Sequence, residues 1–288
     1  MNIGWIGLGN MGVPMLCHVA REHRVDAYNR TPKPFKFEDG VDVCVVSDIR
    51  QAVAGKVCVF IMVSDASAVE DVLFTSGAAD AMDRGTLIVN ASTIGVDETL
   101  EFAKRAAALG LRYMDAPVLG SVKPANDGTL VVVAGGDRSD FDRVEPVFAT
   151  FSKRAFHLGP IGQGAAMKLL VNAYLGMAVE AMAETVSFGN RCGFGTEVIF
   201  DVLETSAVWS PMLAGKRQLV IDNEYAAQFA LKHLDKDLGL TLRHAAATGV
   251  STPAIAATKE AFANAVQEGF GDLDMSAMVK FLVSQTNG

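Results

Sequence analysis

Lys168 and Asn172 are the residues of this chain best suited to chemistry. Lys168 sits in the run GAAMKLLVNAYLGMAVEAMAE, where nearly every neighbour is apolar. An ammonium there is costly unless a partner or a wet cavity receives it. Most lysines on helices are solvated surface groups, and the apolar setting is what sets this one apart. Asn172 follows four residues later and shares its helical face. A proton donor and a neutral amide aimed at one spot are what carbonyl reduction needs. As hydride reaches the carbon, the oxygen gains negative charge and takes a proton. The competing reading of Asn172 is a buried amide bonded to a neighbouring helix. A second candidate is the turn after Asp115, Ala116-Pro117-Val118-Leu119-Gly120-Ser121. It can offer backbone N–H groups and the Ser121 hydroxyl to a carboxylate; an ordinary loop is the alternative. Among the histidines only His233, in FALKHLDKDL, rivals Lys168 as an acid/base, and no carboxylate is clearly paired with it. A solvated amphipathic face accounts for the charges of that segment equally well.

A reduction needs a hydride source, and the first thirty residues suggest one. A short apolar strand, Ile3 to Ile6, runs into Gly7-Leu8-Gly9-Asn10-Met11-Gly12 and then a helix. In a dinucleotide-binding turn the first glycine permits the turn, the second admits the pyrophosphate and the third lets the helix pack on the strand. The helix N-terminus adds N–H groups and a positive dipole end. Strand two, Arg24 to Tyr28, ends at Asn29-Arg30-Thr31. An NAD site usually carries Asp or Glu at this point for the ribose hydroxyls. A guanidinium there instead suits a 2′-phosphate, and Asp26 lies too early in the strand to be the missing acid. The cofactor expected is NADP(H).

Those two sets of residues need a scaffold of two parts. Strand-like runs alternate with helical patterns over roughly the first 160 residues: 42–46, 56–63, 86–90, 111–115, 129–134 and 155–158, with helices at 66–74 and 96–109 between them. This predicts an α/β, doubly wound parallel sheet of Rossmann type with extra strands at one end. Ligands of such sheets bind where the strand order reverses, so Gly7–Gly12 and Met62-Val63-Ser64 should face each other across the cofactor. From about Gly162 the pattern is helical only, beginning with a long apolar helix over 164–192. The breaker-rich Gly159-Pro160-Ile161-Gly162-Gln163 marks a hinge. The domains expected are 1–161 for the nucleotide and 162–288, all-helical, for substrate and oligomerisation, with the active site in the cleft.

Composition narrows the classes. The chain has 288 residues, half of them apolar, and a net charge of −8 with no basic run. That excludes disorder and gives no electrostatic footing for nucleic acid. Cys17, Cys44, Cys58 and Cys192 show no ligand-like spacing, and two of them fall in apolar strand patterns. Buried reduced thiols in a cytoplasmic protein are expected, with no metal site. The first strand starts at residue 2, so no signal peptide is expected. The long helix carries Lys168, Asn172, Glu180 and Glu184, too many polar groups for an ordinary membrane span.

Six motifs, in order, resemble the β-hydroxyacid dehydrogenase family of 3-hydroxyisobutyrate dehydrogenase-like enzymes. They are GLGNMGVPM at 7–15, NRT at 29–31, NASTI at 90–94, DAPVLGS at 115–121, GQGAAMKLLVN at 162–172 and KHLDKDL at 232–238. The resemblance implies Lys168 as catalytic acid/base, Asn172 binding substrate, and Gly120 and Ser121 cradling its carboxylate. It also implies Thr93 and Met62-Val63 at the nicotinamide end, Lys236 reaching the cofactor, and Asp237 supporting that helix. The Lys123-Pro124-Ala125 stretch looks most like the glyoxylate/succinic semialdehyde reductase branch, in which Asn-Arg-Thr goes with NADPH. Where the family usually has Ser-Gly after Pro-Val, this chain has Leu119-Gly120. That removes a hydroxyl and adds apolar bulk, to which Trp209 and Phe229 could contribute. The activity expected is interconversion of a small aldehyde or keto acid with a short hydroxy acid, by a homodimer or homotetramer in the cytoplasm. The alternatives are an imine reductase of related fold and a catalytically silent NADPH-binding scaffold.

Overall fold

The computed structural model describes residues 1–35, 37 and 40–285. It divides into two compact units, Met1–Lys168 and Leu169–Gly288. In the first unit, β1 (Asn2–Ile6), β2 (Arg24–Tyr28), β3 (Val43–Val45), β4 (Cys58–Ile61), β5 (Leu87–Asn90) and β6 (Arg112–Asp115) form one parallel sheet. The strand order is β3-β2-β1-β4-β5-β6, which reverses between β1 and β4. The crossovers carry α1 (Gly12–Ala20), α2 (Ile49–Val53), α3 (Ala66–Glu70) and α4 (Val96–Ala108). Apolar residues fill both faces of the strands, as a sheet covered on both sides requires. Trp5, Phe60, Leu16 and Phe148 pack on one side, and Ile6, Ile61, Val69 and Phe102 on the other. Trp5 stacks on Phe60 at 5.3 Å between ring centres.

The extra strands expected at one end of this sheet form a sheet of their own. It comprises β7 (Val118–Leu119), β8 (Leu130–Ala134) and β9 (Ser152–His157), with α5 (Val122–Asn126) and α6 (Arg138–Phe151) between them. The cause lies at Pro117. Ala116 N still donates to Asn90 O on β5, whereas Pro117 faces the other edge and accepts from Val133 N at 3.1 Å, so it takes part only in the pairing with β8 and has no N–H to offer there. The chain turns away into an antiparallel pairing of β7 with β8, tied back by the Asp115–Gly135 bridge. The last strand begins at Ser152, earlier than its apolar residues suggest, because Lys153 and Arg154 point to solvent on an edge strand. The helix expected over 66–74 is α3 followed by a wide π-helical turn, Asp71–Thr75. Among the cysteines Cys17 and Cys58 are buried as expected of such thiols. Cys44 and Cys192 are exposed instead: three-residue β3 is the sheet's edge, and Cys192 lies just past the end of the long helix that follows the sheets.

The second unit is helical. α7 (Gln163–Arg191) runs across the division of the chain, and α8 (Thr196–Glu204), α9 (Pro211–Ile221), α10 (Leu231–Ala247), α11 (Pro253–Ala265) and α12 (Met278–Gln285) follow. Val179, Met182, Ala183 and Val186 of α7 recur at helical spacing and pack with Phe200, Leu234, Leu238 and Phe262. A Cβ at Gly176 would stand 3.0 Å from Leu238, so glycine lets α7 and α10 approach. By length and composition α7 could cross a membrane, yet it buries Lys168, Asn172 and Glu180.

Candidate active site

The glycine turn at the end of β1 is shaped by close approaches. Gly7 has φ +102°, and a Cβ on it would lie 2.1 Å from Met62 O. The ends of β1 and β4 are therefore in direct contact, with Met62 N donating to Ile6 O. A Cβ on Gly12 would lie 2.1 Å from Gly7 O, pressing the start of α1 against the turn. Gly9 differs: no heavy atom outside its chain neighbours lies within 4 Å of where its Cβ would stand. No side chain caps α1, and its first turn holds no acid. An open glycine beside an electropositive helix start fits a pyrophosphate.

The end of β2 holds a feature that spacing does not reveal. Leu8 N donates to Asn29 Oδ1 at 2.9 Å, and Asn29 Nδ2 donates to Thr31 O at 2.8 Å. Asn29 thus ties the glycine turn to the loop bearing Arg30. The Arg30 side chain is 72% exposed and lies 3.6 Å from the Asp71 carboxylate. Asp26 pairs with buried Lys56, which accounts for its early place in the strand. At the neighbouring strand ends Val63 N donates to Ser92 Oγ at 3.0 Å, and Ser92 N donates to Asn90 Oδ1 at 3.0 Å. Val63 and the segment leading to Thr93 are thereby held together.

The carboxylate-cradle candidates lie after β6. Gly120 has φ +126°, and a Cβ there would meet Leu130 at 2.7 Å, so the turn demands glycine. Ser121 precedes α5 without capping it through its hydroxyl. Leu119 pairs with Val131 across β7 and β8. Nothing in the sequence marks Asp115 beyond its place at the end of β6. It is 2% exposed, and its two oxygens accept from Gly162 N at 2.8 Å and Ala165 N at 2.7 Å. Burial pushes its carboxyl up, and these N–H groups pull against that.

Lys168 and Asn172 lie on α7 one turn apart, 8% and 3% exposed. Asn172 Nδ2 donates to Asp237 Oδ2 of α10 at 2.6 Å, which is the bond to a neighbouring helix that its alternative reading describes. The same bond fixes the amide's rotamer. Lys236 lies 3.2 Å from Asp237 Oδ1, and its own side chain is partly exposed. Trp209 sits edge-on to Phe200, and Phe229 packs on the core of the second unit. Glu180, two turns beyond Asn172, is buried; desolvation pushes its carboxyl to about 7, helped by Glu184.

A reversing parallel sheet with this glycine turn at its switch point has the architecture of a dinucleotide-binding domain. Residues 2–159 match the family described as the NAD binding domain of 6-phosphogluconate dehydrogenase. Residues 162–282 match that described as the NAD-binding of NADP-dependent 3-hydroxyisobutyrate dehydrogenase. Glyoxylate/succinic semialdehyde reductase 1 of Arabidopsis thaliana is 33% identical over 97% of this chain and 98% of its own length. For 2-hydroxy-3-oxopropionate reductase of Escherichia coli the figures are 32%, 100% and 99%. The 3-hydroxyisobutyrate dehydrogenase structure from Salmonella typhimurium superposes with a TM-score of 0.86 at 26% identity, over 98% of this chain and 99% of that one. The chain belongs to the 3-hydroxyisobutyrate dehydrogenase-like family of β-hydroxyacid dehydrogenases. It is an NAD(P)-dependent oxidoreductase of hydroxy-acid/oxo-acid type.

Proposed function

We propose that this enzyme uses NADPH to reduce the carbonyl of a small aldehyde or keto acid to the corresponding short hydroxy acid. The observation that carries the reading is Lys168, a buried lysine one helical turn from an amide whose orientation Asp237 fixes. When bound, the nicotinamide supplies hydride to the carbonyl carbon. Lys168 gives its proton to the carbonyl oxygen as negative charge develops there. Burial keeps competing water from the ammonium and strengthens its field at short range. Asn172 donates one amide hydrogen to Asp237, which leaves its carbonyl and a second hydrogen to orient the substrate. The N–H groups about Gly120 and the Ser121 hydroxyl hold the substrate carboxylate. Leu119 makes that cradle more apolar than a serine would, favouring a substrate with a carbon chain.

NADPH over NADH rests on Arg30 and on the lack of an acid at position 29. Gly7 to Gly12 receive the pyrophosphate, Asn29 and Thr31 shape the Arg30 loop, and Met62, Val63, Thr93 and Lys236 attend the rest of the cofactor. The names of the Arabidopsis and Escherichia coli relatives place glyoxylate, succinic semialdehyde and 2-hydroxy-3-oxopropionate among the substrates to try. We assign nucleotide binding to 1–161 and substrate binding and oligomerisation to 162–288. A homodimer or homotetramer is supported by exposed Leu170, Tyr174 and Phe188 along α7 and by exposed Val250; light scattering after gel filtration tests it. A cytoplasmic setting accords with the four cysteines.

The deciding experiment is NADPH oxidation against glyoxylate, succinic semialdehyde, tartronate semialdehyde, methylmalonate semialdehyde and a cyclic imine, with Lys168→Ala alongside. Turnover of an acid aldehyde that the variant loses supports the reading. Imine turnover that survives in the variant reassigns the chemistry. Tight NADPH binding with no turnover makes the chain a binding protein.

A further inference from the structure

Both oxygens of the Asp115 carboxylate accept from backbone N–H groups. Oδ1 accepts from Gly162 N at 2.8 Å and Oδ2 from Ala165 N at 2.7 Å. These two N–H groups belong to the entry and first turn of α7, where a helix leaves donors unsatisfied. The cap comes from about fifty residues upstream, at the end of β6. The main chain of Asp115 is fixed as well: its N–H donates to Gly135 O at 3.1 Å, and its carbonyl accepts from Gly135 N at 2.8 Å. Backbones around it touch with no slack. A Cβ on Gly164 would stand 2.5 Å from Val133 O and 2.8 Å from Asp115 O, and one on Gly135 would stand 2.6 Å from Pro160 O.

Two segments leave this point. Ala116 to Ser121 follow Asp115 directly in the chain. Lys168 follows Ala165 by three residues, a rise of about 4.5 Å along the helix. An apolar side chain could fill the space at 115, but only a carboxylate supplies two acceptors to two N–H groups. It also sets a negative charge against the positive end of the helix that carries Lys168.

We infer that Asp115 is a positioning residue for the proton donor: it fixes the register of Lys168 on α7 relative to the Gly120–Ser121 cradle. This rests on Lys168 being the donor. Asp115→Asn keeps the shape but turns one acceptor into a donor facing an N–H. Asp115→Glu keeps the charge but pushes the helix start outward. Gly164→Ala keeps the carboxylate and its charge but crowds it and the helix start together, with a methyl 2.9 Å from Asp115 Oδ2.

The test measures kcat, KM, the pH dependence of kcat, NADPH affinity by fluorescence and Tm for these variants beside Lys168→Ala. All three are expected to lower kcat by about 10- to 100-fold, the penalty of a misplacement on the order of an ångström. NADPH affinity should stay within about twofold of wild type, since that turn lies on other elements. Asp115→Asn alone should also shift the pH profile of kcat downward, because losing a nearby negative charge weakens an ammonium's hold on its proton. A purely structural bolt would lower Tm and leave kcat and its pH profile as in wild type wherever the variant is folded. That outcome, in any two of the folded variants, overturns the inference. Should Lys168→Ala keep full activity while Asp115→Asn loses it, the donor assignment falls and Asp115 acts by another route.

Discussion

Replacing Asp274 by alanine should lower the melting temperature of the helical unit substantially without touching the residues proposed for chemistry. Asp274 is fully buried and accepts from Lys216 Nζ at 2.9 Å, Gln228 N at 3.0 Å, Phe229 N at 3.2 Å, Ser276 N at 3.1 Å and Ser276 Oγ at 2.8 Å. The alanine variant strands a lysine whose side chain is 6% exposed, with Gln228 Oε1 at 3.1 Å left to it. Breaking a buried pair from one side costs about 3–5 kcal/mol, and the remaining glutamine bond argues for the lower figure. For a unit of this size that corresponds to a fall in Tm of about 10–20 °C. The pH dependence gives a second check. Burial pushes the Asp274 carboxyl up, but the Lys216 charge and the hydrogen bonds outweigh it and hold it below the usual range. A depressed acid stabilises above its unfolded value of about 3.9, and that stability is lost as pH falls through the lower folded value. The gap between wild type and variant should therefore be full at pH 7 and narrow below about pH 4. Calorimetry or circular dichroism across that range reads both. A variant melting within about 3 °C of wild type at pH 7 would refute the reasoning, as would an undiminished gap at pH 3.

Other expectations follow from single contacts. Gly7→Ala places a methyl 2.1 Å from Met62 O at a positive φ; nucleotide binding should be lost by fluorescence titration, and retained affinity would deny the turn its role. Arg30→Ala should raise KM for NADPH about tenfold with little change for NADH, and Asp71→Asn should lower it severalfold by removing the competing carboxylate 3.6 Å away. Equal use of both nucleotides by wild type would break that argument. Glu180 sits near 7 because of its burial, so its ionisation weakens the fold as pH rises from about 4.5 to 7. Glu180→Gln should raise Tm at pH 8 more than at pH 5; a pH-independent change contradicts it.

The glycine turn and the strands that flank it were readable because they are close in the chain. Gly7, Gly9 and Gly12 stand within six residues at the end of an apolar strand, and Arg24–Tyr28 has the period and end of a strand, although the atom that Gly7 makes room for, Met62 O, comes from a distant one. The two sheets were harder to separate, since β7 has only two residues and its partner lies across a turn and a short helix. Side-chain partners were hidden by distance along the chain. Asn29 answers Leu8 from 21 residues away, Asp115 answers Ala165 from 50, and Asn172 answers Asp237 from 65. Nothing in spacing or composition marks such pairs before the fold brings them together. Exposure at edges was likewise invisible: Cys44 and Lys153 take their setting from being on outer strands, not from their neighbours in sequence.

The division of the chain between Lys168 and Leu169 falls inside an unbroken helix. This constrains how such a protein can be recombined. A crossover at the division itself would draw Lys168 from one parent and Asn172 from another, separating two residues that lie one turn apart on the same helix. A crossover at Gly159–Gly162 would instead transfer both on one helix. The incoming helix would then meet Asp115 through two main-chain N–H groups, which every sequence but proline provides. Its admission would depend on having a residue as small as glycine at position 164.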